Sequence, residues 1–303
     1  MTSDTVRREL VCIGVLSELT GVSVRKIRFY CDNGVLESTR SGGGHRMFER
    51  ESAVARLLLI RRLRAVGLGL VSIGAVLRGE RSMAEAVAAE RAAVDVELGA
   101  LAWRRASLCA IENADPNERA ARLELVSAVH DGHRAHDTLV AFWRRTLARP
   151  PSAVFDGFLD MNVPAPPRDP TPEAVVGYAE LVALVTDRHF AAVVSQQLWC
   201  PEVPGLGDRT GLIAGVGAAC GMAESDIHAG REPFAGTALD RFVDAHASAR
   251  GTRDTAGFRE RLRGCGHTDD ARAQRYWRRT GELLGTLTTA GAAQRWLFEA
   301  LAR

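Results

Sequence analysis

The stretch Ser23-Val24-Arg25-Lys26-Ile27-Arg28-Phe29-Tyr30-Cys31-Asp32-Asn33-Gly34 constrains this chain more than any other. Ser23 can accept a hydrogen bond from a free N–H of a first helical turn, and Val24 and Ile27, three apart, share one face. The spacing predicts a short helix that Asn33-Gly34 ends, with Arg25, Lys26 and Arg28 facing outward. Before it, Ile13, Leu16 and Leu19 recur at helical spacing, and Gly21 stands where a tight turn needs a permissive residue. Helix, turn and basic helix is the plan of a helix-turn-helix, whose second helix enters the DNA major groove.

Charge supports this placement. The net charge of +2 hides an asymmetry: residues 1–80 hold 13 Lys and Arg against 8 Asp and Glu, the remainder 26 against 29. A basic amino-terminal module concentrates polyanion binding there, and the larger part need not touch DNA. With 303 residues and 46% hydrophobic content the chain can build two domains with real cores. No apolar run reaches membrane-span length and no signal-peptide pattern opens the chain, so the expected location is the cytoplasm, with no membrane partner. Cys12, Cys31, Cys109, Cys200, Cys220 and Cys265 show no C-x-x-C spacing and read as packed thiols rather than bridges.

At these residues the sequence resembles the MerR family of transcription regulators. The family's Arg-aromatic-Tyr, polar run, Gly and Leu is met by Arg28-Phe29-Tyr30-Cys31-Asp32-Asn33-Gly34-Val35-Leu36. Its wing is met by Arg40-Ser41-Gly42-Gly43-Gly44-His45-Arg46-Met47-Phe48, where His45 and Phe48 replace the usual tyrosines. Its third element is met by Ile60-Arg61-Arg62-Leu63-Arg64-Ala65-Val66-Gly67-Leu68-Gly69-Leu70, with Leu68 and Gly69 departing from it. The match runs from about Val11 to Leu77. The resemblance implies an amino-terminal winged helix-turn-helix, and a homodimer on double-stranded promoter DNA with inverted half-sites. It also implies that the dimer distorts the promoter spacer so that RNA polymerase engages both promoter elements. Candidate DNA contacts are Ser23, Arg25, Lys26, Arg28, Tyr30, Arg40, His45 and Arg46.

Residues 1–10 are polar and read as a frayed end. Leu36–Arg40 and His45–Phe48 read as two short strands around a glycine-rich turn, Glu51–Ala65 as an amphipathic helix and Val71–Leu77 as a shorter one. Between Met83 and Glu112 there is no Pro, and Val87, Val94, Leu101 and Leu108 fall on one seven-residue repeat, with Leu98 and Ile111 beside it. Arg91 and Arg105 interrupt the second line. Such a stripe fits a two-helix seam, and with the resemblance it predicts an antiparallel dimer helix through Val87, Val94, Leu98, Leu101 and Leu108; the alternative is a helix packed on its own carboxy-terminal domain. After Asp115-Pro116 the chain reads as helices over Glu118–Leu147, Pro172–Trp199, Leu206–Cys220, Thr237–Ala249, Phe258–Leu262 and Asp269–Leu301, with proline-rich loops at 150–151 and 164–170. The expected organisation is thus a winged domain over 1–80, a coiled-coil helix over 81–113 and an all-α effector domain over 114–303, mainly α overall. Asp169–Glu173 with Tyr178–Asp187 resembles the helical carboxy-terminal domains of actinobacterial MerR-type regulators.

The remaining candidates are sparser. Trp143, Trp199, Trp277 and Trp296 are core residues or, if some line a cavity, walls for a small-molecule effector. His130, His133 and His136 spread over roughly 120° of a helix and lack the i, i+4 pairing of zinc sites. Cys265 and His267 form only a lone C-x-H. Gly215–Gly221 carries a phosphate-loop-like glycine pattern without a preceding strand, and reads as a close helix–helix contact. Asp226–Gly230 resembles a cobalamin signature with its glycine one place early. No catalytic triad is legible, and neither metal nor cofactor is expected. Three classes follow: a ligand-responsive regulator, a ligand-independent architectural DNA-binding protein, and an enzyme fused to a DNA-binding module, the last disfavoured by the missing catalytic signature.

Overall fold

The computed structural model describes residues 9–148, 150–265, 270–285 and 288–303. Its first unit extends to Leu98 and its second begins at Gly99. The first is built on a small antiparallel sheet of strands β1 (Leu10–Cys12), β2 (Thr39–Arg40) and β3 (Arg46–Glu49) in the order β1-β3-β2. Val11 faces Phe48 and Arg40 faces Arg46. Helices α1 (Ile13–Thr20), α2 (Val24–Asp32), α3 (Arg50–Ala65) and α4 (Leu70–Leu77) complete it.

Local chemistry sets these boundaries. Gly21 ends α1 in the left-handed conformation at φ 67°, where a side chain would be strained. Glu49 caps α3, its carboxylate accepting from the N–H groups of Glu51 and Ser52. Inside, Leu16, Ile27, Phe48, Leu57 and Ile60 are fully buried together. The replacement of a wing tyrosine by Phe48 therefore falls on a core position. Two expectations are corrected. Leu10 opens the edge strand Leu10–Cys12, too short for alternation to reveal, rather than closing a frayed end, and residues 1–8 of that expected end lie outside the described residues. The strand expected over Leu36–Arg40 shrinks to Thr39–Arg40, because Val35 and Leu36 turn into the core with their N–H groups on the Tyr30 carbonyl.

Helix α5 (Met83–Glu112) is continuous over its thirty residues. Ala86 is buried in the first core, and Trp103, Ala106 and Ala110 in the second. There follow α6 (Arg119–Ser127), α7 (Gly132–Thr146), α8 (Ser152–Asn162), α9 (Pro172–Thr186), α10 (Arg188–Trp199), α11 (Arg209–His228), α12 (Thr237–Ser248), α13 (Ala256–Arg263), α14 (Ala271–Leu284) and α15 (Ala290–Ala302). Among the described residues the second unit contains no strand, so the chain is mainly α with one small winged sheet.

Three long helices of the sequence reading are each two. Glu118–Leu147 breaks before α7, whose first N–H groups are capped by Asp131. Pro172–Trp199 breaks at Asp187, which ends α9 and caps α10 through the His189 N–H. Asp269–Leu301 breaks at Gly285, φ 66°, and Thr289 caps α15. An apolar period runs straight across breaks of one to five residues, which is why it missed them. Helix α8, which the sequence reading did not include, follows the expected loop at 150–151, and α11 continues to His228 rather than ending near Cys220.

The second core centres on Trp143, whose indole N–H donates to the Tyr276 hydroxyl at 2.7 Å while its ring packs on Phe142, Phe158 and Trp277. Helices α11 and α12 approach closely at Gly215, where a Cβ would lie 2.5 Å from that of Ala245. Gly215 is thus the close helix contact expected, whereas a Cβ on Gly217 or Gly221 of the same run would meet nothing within 4 Å. Nearby, buried Arg250 donates to the carbonyls of Val203, Trp199, Cys200 and His246 at 3.0, 2.7, 3.2 and 3.1 Å. Its Nη1 also lies 3.4 Å from His246 Nδ1, which serves as acceptor in the neutral Nε2–H tautomer.

Burial, followed by the charge of Arg250, depresses the His246 pKa to about 3, so the folded protein holds this ring neutral. Unfolding below the ordinary pKa of about 6.5 takes up a proton that the folded state refuses. Stability from this group is therefore present above pH 6.5 and lost as pH falls towards 3, with a slope approaching about 1.4 kcal/mol per pH unit. Urea unfolding from pH 7 to 4.5 is expected to show this slope, and His246→Gln to flatten it.

Candidate nucleic-acid interface

Helix α2 is held by a minimal set of contacts. Ile27 is fully buried and Val24 partly so, while Arg25, Lys26 and Arg28 are exposed on the opposite side. The Ser23 hydroxyl accepts from the Lys26 N–H at 3.4 Å, so this candidate contact residue is also the cap. The turn before it is pinned twice. Ser17 Oγ donates to the Val22 carbonyl at 2.7 Å, and Arg61 donates to the Thr20 carbonyl at 3.1 Å. Tyr30 packs half-buried against the first core, and its carbonyl receives the Val35 and Leu36 N–H groups. Phe29, by contrast, is half exposed on the basic side.

The wing presents the second part. Ser41 and His45 close its tip, the Ser41 N–H donating to the His45 carbonyl at 2.9 Å and the His45 N–H to Ser41 Oγ at 3.2 Å. Arg40 and His45 are exposed and Arg46 is half-buried. With Arg28 they line a cleft of about 310 Å³ that Cys12, Ile13 and Gly44 also border. Cys12 and Ile13 come from the β1–α1 junction, which the sequence reading did not place beside the wing. Asp32 at the end of α2 pairs with Arg46 at 2.6 Å, and that hydrogen bond raises the guanidinium pKa. Burial raises that of the Cys31 thiol beside them. The cleft thus brings four basic side chains together and neutralises one of them, which suits a polyanion backbone.

Other arginines are committed to the fold. Arg56 donates to the Leu77 carbonyl at 3.2 Å and reaches Glu37 at 3.4 Å, and Arg64 donates to the Leu68 carbonyl at 2.9 Å across the α3–α4 turn. The sequence alone does not separate these from the exposed Arg25, Arg28 and Arg40, because the distinction lies in where carbonyls end up.

On α5, Val87, Val94, Leu98, Leu101 and Leu108 are between 43% and 58% exposed, leaving a long apolar stripe open. The four tryptophans are dispersed. Trp143 is inside the core, and Trp277 packs on it. The Trp296 indole donates to the Arg231 carbonyl at 3.0 Å. Trp199 lies beneath the Arg209 guanidinium at 5.0 Å and borders a cavity of the second unit.

His130, His133 and His136 do not share one helix, since His130 precedes α7. His133 is exposed, and burial lowers the pKa of His136. Among the described residues no group of three His, Cys, Asp or Glu is placed to hold a metal ion. His267 lies outside the described residues. Its neighbour Cys265 shares a hydrogen bond with Cys200, which favours the Cys265 thiolate and pushes the Cys200 thiol up. Asp226–Gly230 forms the end of α11, with Asp226 paired to Arg231 at 2.8 Å. No helix among the described residues is long and apolar enough to cross a membrane.

A family model described as MerR HTH family regulatory protein matches residues 12–80. The nodulation protein NolA of Bradyrhizobium diazoefficiens is 38% identical over 99 residues, 32% of this chain and 41% of that protein. The HTH-type transcriptional regulator GlnR of Bacillus anthracis is 34% identical over 87 residues, 29% of this chain and 67% of that protein. The HTH-type transcriptional activator SoxR homolog of Chromobacterium violaceum is 37% identical over 67 residues, 22% of this chain and 45% of that protein. The chain thus spans about two fifths of the length of the nodulation relatives it matches. No solved structure matches it.

The cleft predicts opposite effects from two neighbouring changes. Arg28→Ala is expected to weaken binding to every duplex and to reduce the salt slope by about one unit. Asp32→Asn, which frees Arg46, is expected to strengthen duplex binding and steepen the slope with little change in stability, because solvent screens the pair. Fluorescence anisotropy with a labelled duplex across a salt series measures both.

Proposed function

This chain belongs to the MerR family of helix-turn-helix transcription regulators, and on that premise we propose that it binds promoter DNA as a homodimer and distorts the spacer to control transcription in response to a small molecule. The observation that carries the reading is the basic cleft, in which Arg28 on α2 and Arg40, His45 and Arg46 on the wing line one surface. Arg25, exposed on α2, is the side chain proposed to read a guanine edge, since a guanidinium meets its two acceptors in fork geometry. Lys26, Arg28, Arg40 and Arg46 take phosphates, Ser23 and Tyr30 fix the helix at its two ends, and His45 tips the wing.

Pairing is proposed to run through the stripe Val87, Val94, Leu98, Leu101 and Leu108. Five large side chains at helical spacing and 43–58% exposure on one helix expose apolar area whose burial is worth about 25 cal/mol per Å². A second α5 laid antiparallel covers it by seam packing. Two linked amino-terminal units then bind both half-sites together, and contacts to both offset the cost of bending and untwisting the DNA between them. RNA polymerase is the partner for which the spacer geometry matters. The domains proposed are the DNA-binding module over 1–80, the pairing helix over 81–113 and the sensing domain over 114–303, with the cytoplasm as the working compartment. For sensing to act, the small molecule must bind one dimer shape more tightly than the other. The competing reading, a ligand-independent architectural protein, requires the second unit to offer no binding cavity.

Footprinting of the purified protein on its own upstream region, with and without polymerase, tests this function. Protection of an inverted repeat between the two promoter elements is expected. Protection elsewhere, or of a single half-site, contradicts the spacer mechanism. Val94→Glu combined with Leu101→Glu is expected to give monomers in sedimentation velocity and to weaken operator binding at least a hundredfold, with the circular dichroism spectrum unchanged.

A further inference from the structure

Helices α8, α10, α11 and α15 of the second unit surround a cavity of about 250 Å³. Phe158, Met161, Leu198, Trp199 and Ile213 supply apolar walls, and among the lining residues there is no Asp, Glu, Lys, Arg or His. Its most informative wall residues are two glycines, Gly157 in α8 and Gly217 in α11. A glycine inside a helix is less favourable than alanine by about 1 kcal/mol, a cost usually recovered by a positive φ or by close packing. Neither applies here. Both residues lie within helices, and a Cβ built on either meets nothing within 4 Å. Gly215, two positions before Gly217 on the same helix, is the contrast, because its missing Cβ is what lets Ala245 approach. Gly157 is exposed and lies on the open side of the cavity, whereas Gly217 is half-buried, and the space left there is not used by the protein's own packing.

The polar groups of the lining divide into used and unused. Asn162 is buried and spends its amide on the Phe158 carbonyl at 2.8 Å and the Ala290 N–H at 3.0 Å. Gln294, half-buried on α15, makes no hydrogen bond among the described residues, so its amide offers both a donor and an acceptor to an occupant. Cys220 remains a neutral thiol, burial raising its pKa to about 12. A charged molecule entering these walls would lose its hydration with no opposite charge to replace it, which costs several kcal/mol. The position of Trp199 is fixed from behind, its carbonyl held by Arg250 and its ring covered by Arg209.

We propose that this cavity is the effector site, and that it takes an uncharged, largely apolar molecule of about two rings carrying one hydrogen-bonding group for Gln294. This rests on the reading above that the second unit senses a small molecule. Sterically, half-buried Gly217 leaves the room, exposed Gly157 keeps the entrance clear, Phe158 and Trp199 supply the flat faces, and the absence of ionisable walls sets the selection against charge.

The test uses two fluorescent probes that share one skeleton, uncharged N-phenyl-1-naphthylamine and anionic 8-anilino-1-naphthalenesulfonate, with the full-length protein. Saturable binding of the uncharged probe at one site per chain is expected, with the sulfonate at least tenfold weaker. Gly217→Leu, which fills the space, is expected to weaken the uncharged probe at least tenfold while leaving the thermal midpoint unchanged or higher, leucine being the better helix former. Ala214→Phe on the same wall serves as the second filling variant, and Gln294→Leu should weaken the probe severalfold. No saturable binding by the native protein, equal binding of the sulfonate, or unchanged binding by both filling variants overturns the proposal. Duplex affinity measured with the cavity saturated separates the two layers. If the probe binds as described but operator affinity and footprint do not change, the cavity stands and the sensing function fails. If they change in the native protein and not in Gly217→Leu, both stand.

Discussion

Ile27 beneath helix α2 is the contact on which the DNA-facing half depends. It is fully buried among Leu16, Phe48, Leu57 and Ile60, and it is the one fully buried side chain of a nine-residue helix. Everything else on that helix is thereby rotated outward or to the flank. Three basic residues are set free of internal partners by one aliphatic anchor, and the Gly21 turn with Ser17 and Arg61 fixes the angle at which α2 leaves α1. The wing is positioned by the same core, because Phe48 sits in it, while Arg46, two residues earlier on β3, is half-buried and pairs with Asp32 at the end of α2. Helix and wing therefore share one core, and their charges converge because the helical period turns Arg25, Lys26 and Arg28 away from Ile27 while Asp32 draws Arg46 to the end of the same helix.

This half was largely legible in the sequence for that reason. Caps, turn glycines and a three-residue apolar spacing are local signals, and each had one structural reading. Two things remained hidden. The edge strand at Leu10–Cys12 is three residues long, and its pairing with β3 is a long-range event without local pattern. The division of arginines into structural and free also depends on long-range partners, as Arg56 and Arg64 show by ending on backbone carbonyls. The larger half was legible as helical, yet its helix boundaries were not. Asp131, Asp187 and Thr289 are strong caps buried within apolar periods, and period alone runs through them.

In the second unit the organising interaction is polar. Arg250 replaces a solvent shell with four carbonyls from three chain segments, tying the end of α10 and the Val203 loop to the end of α12. Among the described residues no carboxylate pairs with it, and its partners are carbonyls that the ends of α10 and α12 and the Val203 loop leave unsatisfied. That arrangement keeps Trp199 at the margin of an otherwise apolar cavity, while Trp143, Trp277 and Trp296 serve packing and hydrogen bonding. Four tryptophans that looked equivalent in sequence have distinct surroundings, and their chemistry follows from those rather than from residue type.

The central claim is that α2 and the wing form one continuous surface for DNA. Hydrogen–deuterium exchange of the intact protein, measured by mass spectrometry with and without a duplex carrying its upstream region, tests it most directly. The account predicts slowed exchange together in peptides covering residues 23–30 and 39–48, with the helices of the second unit beyond α5 unchanged. Slowed exchange confined to the second unit, or protection of α2 without the wing, would contradict it.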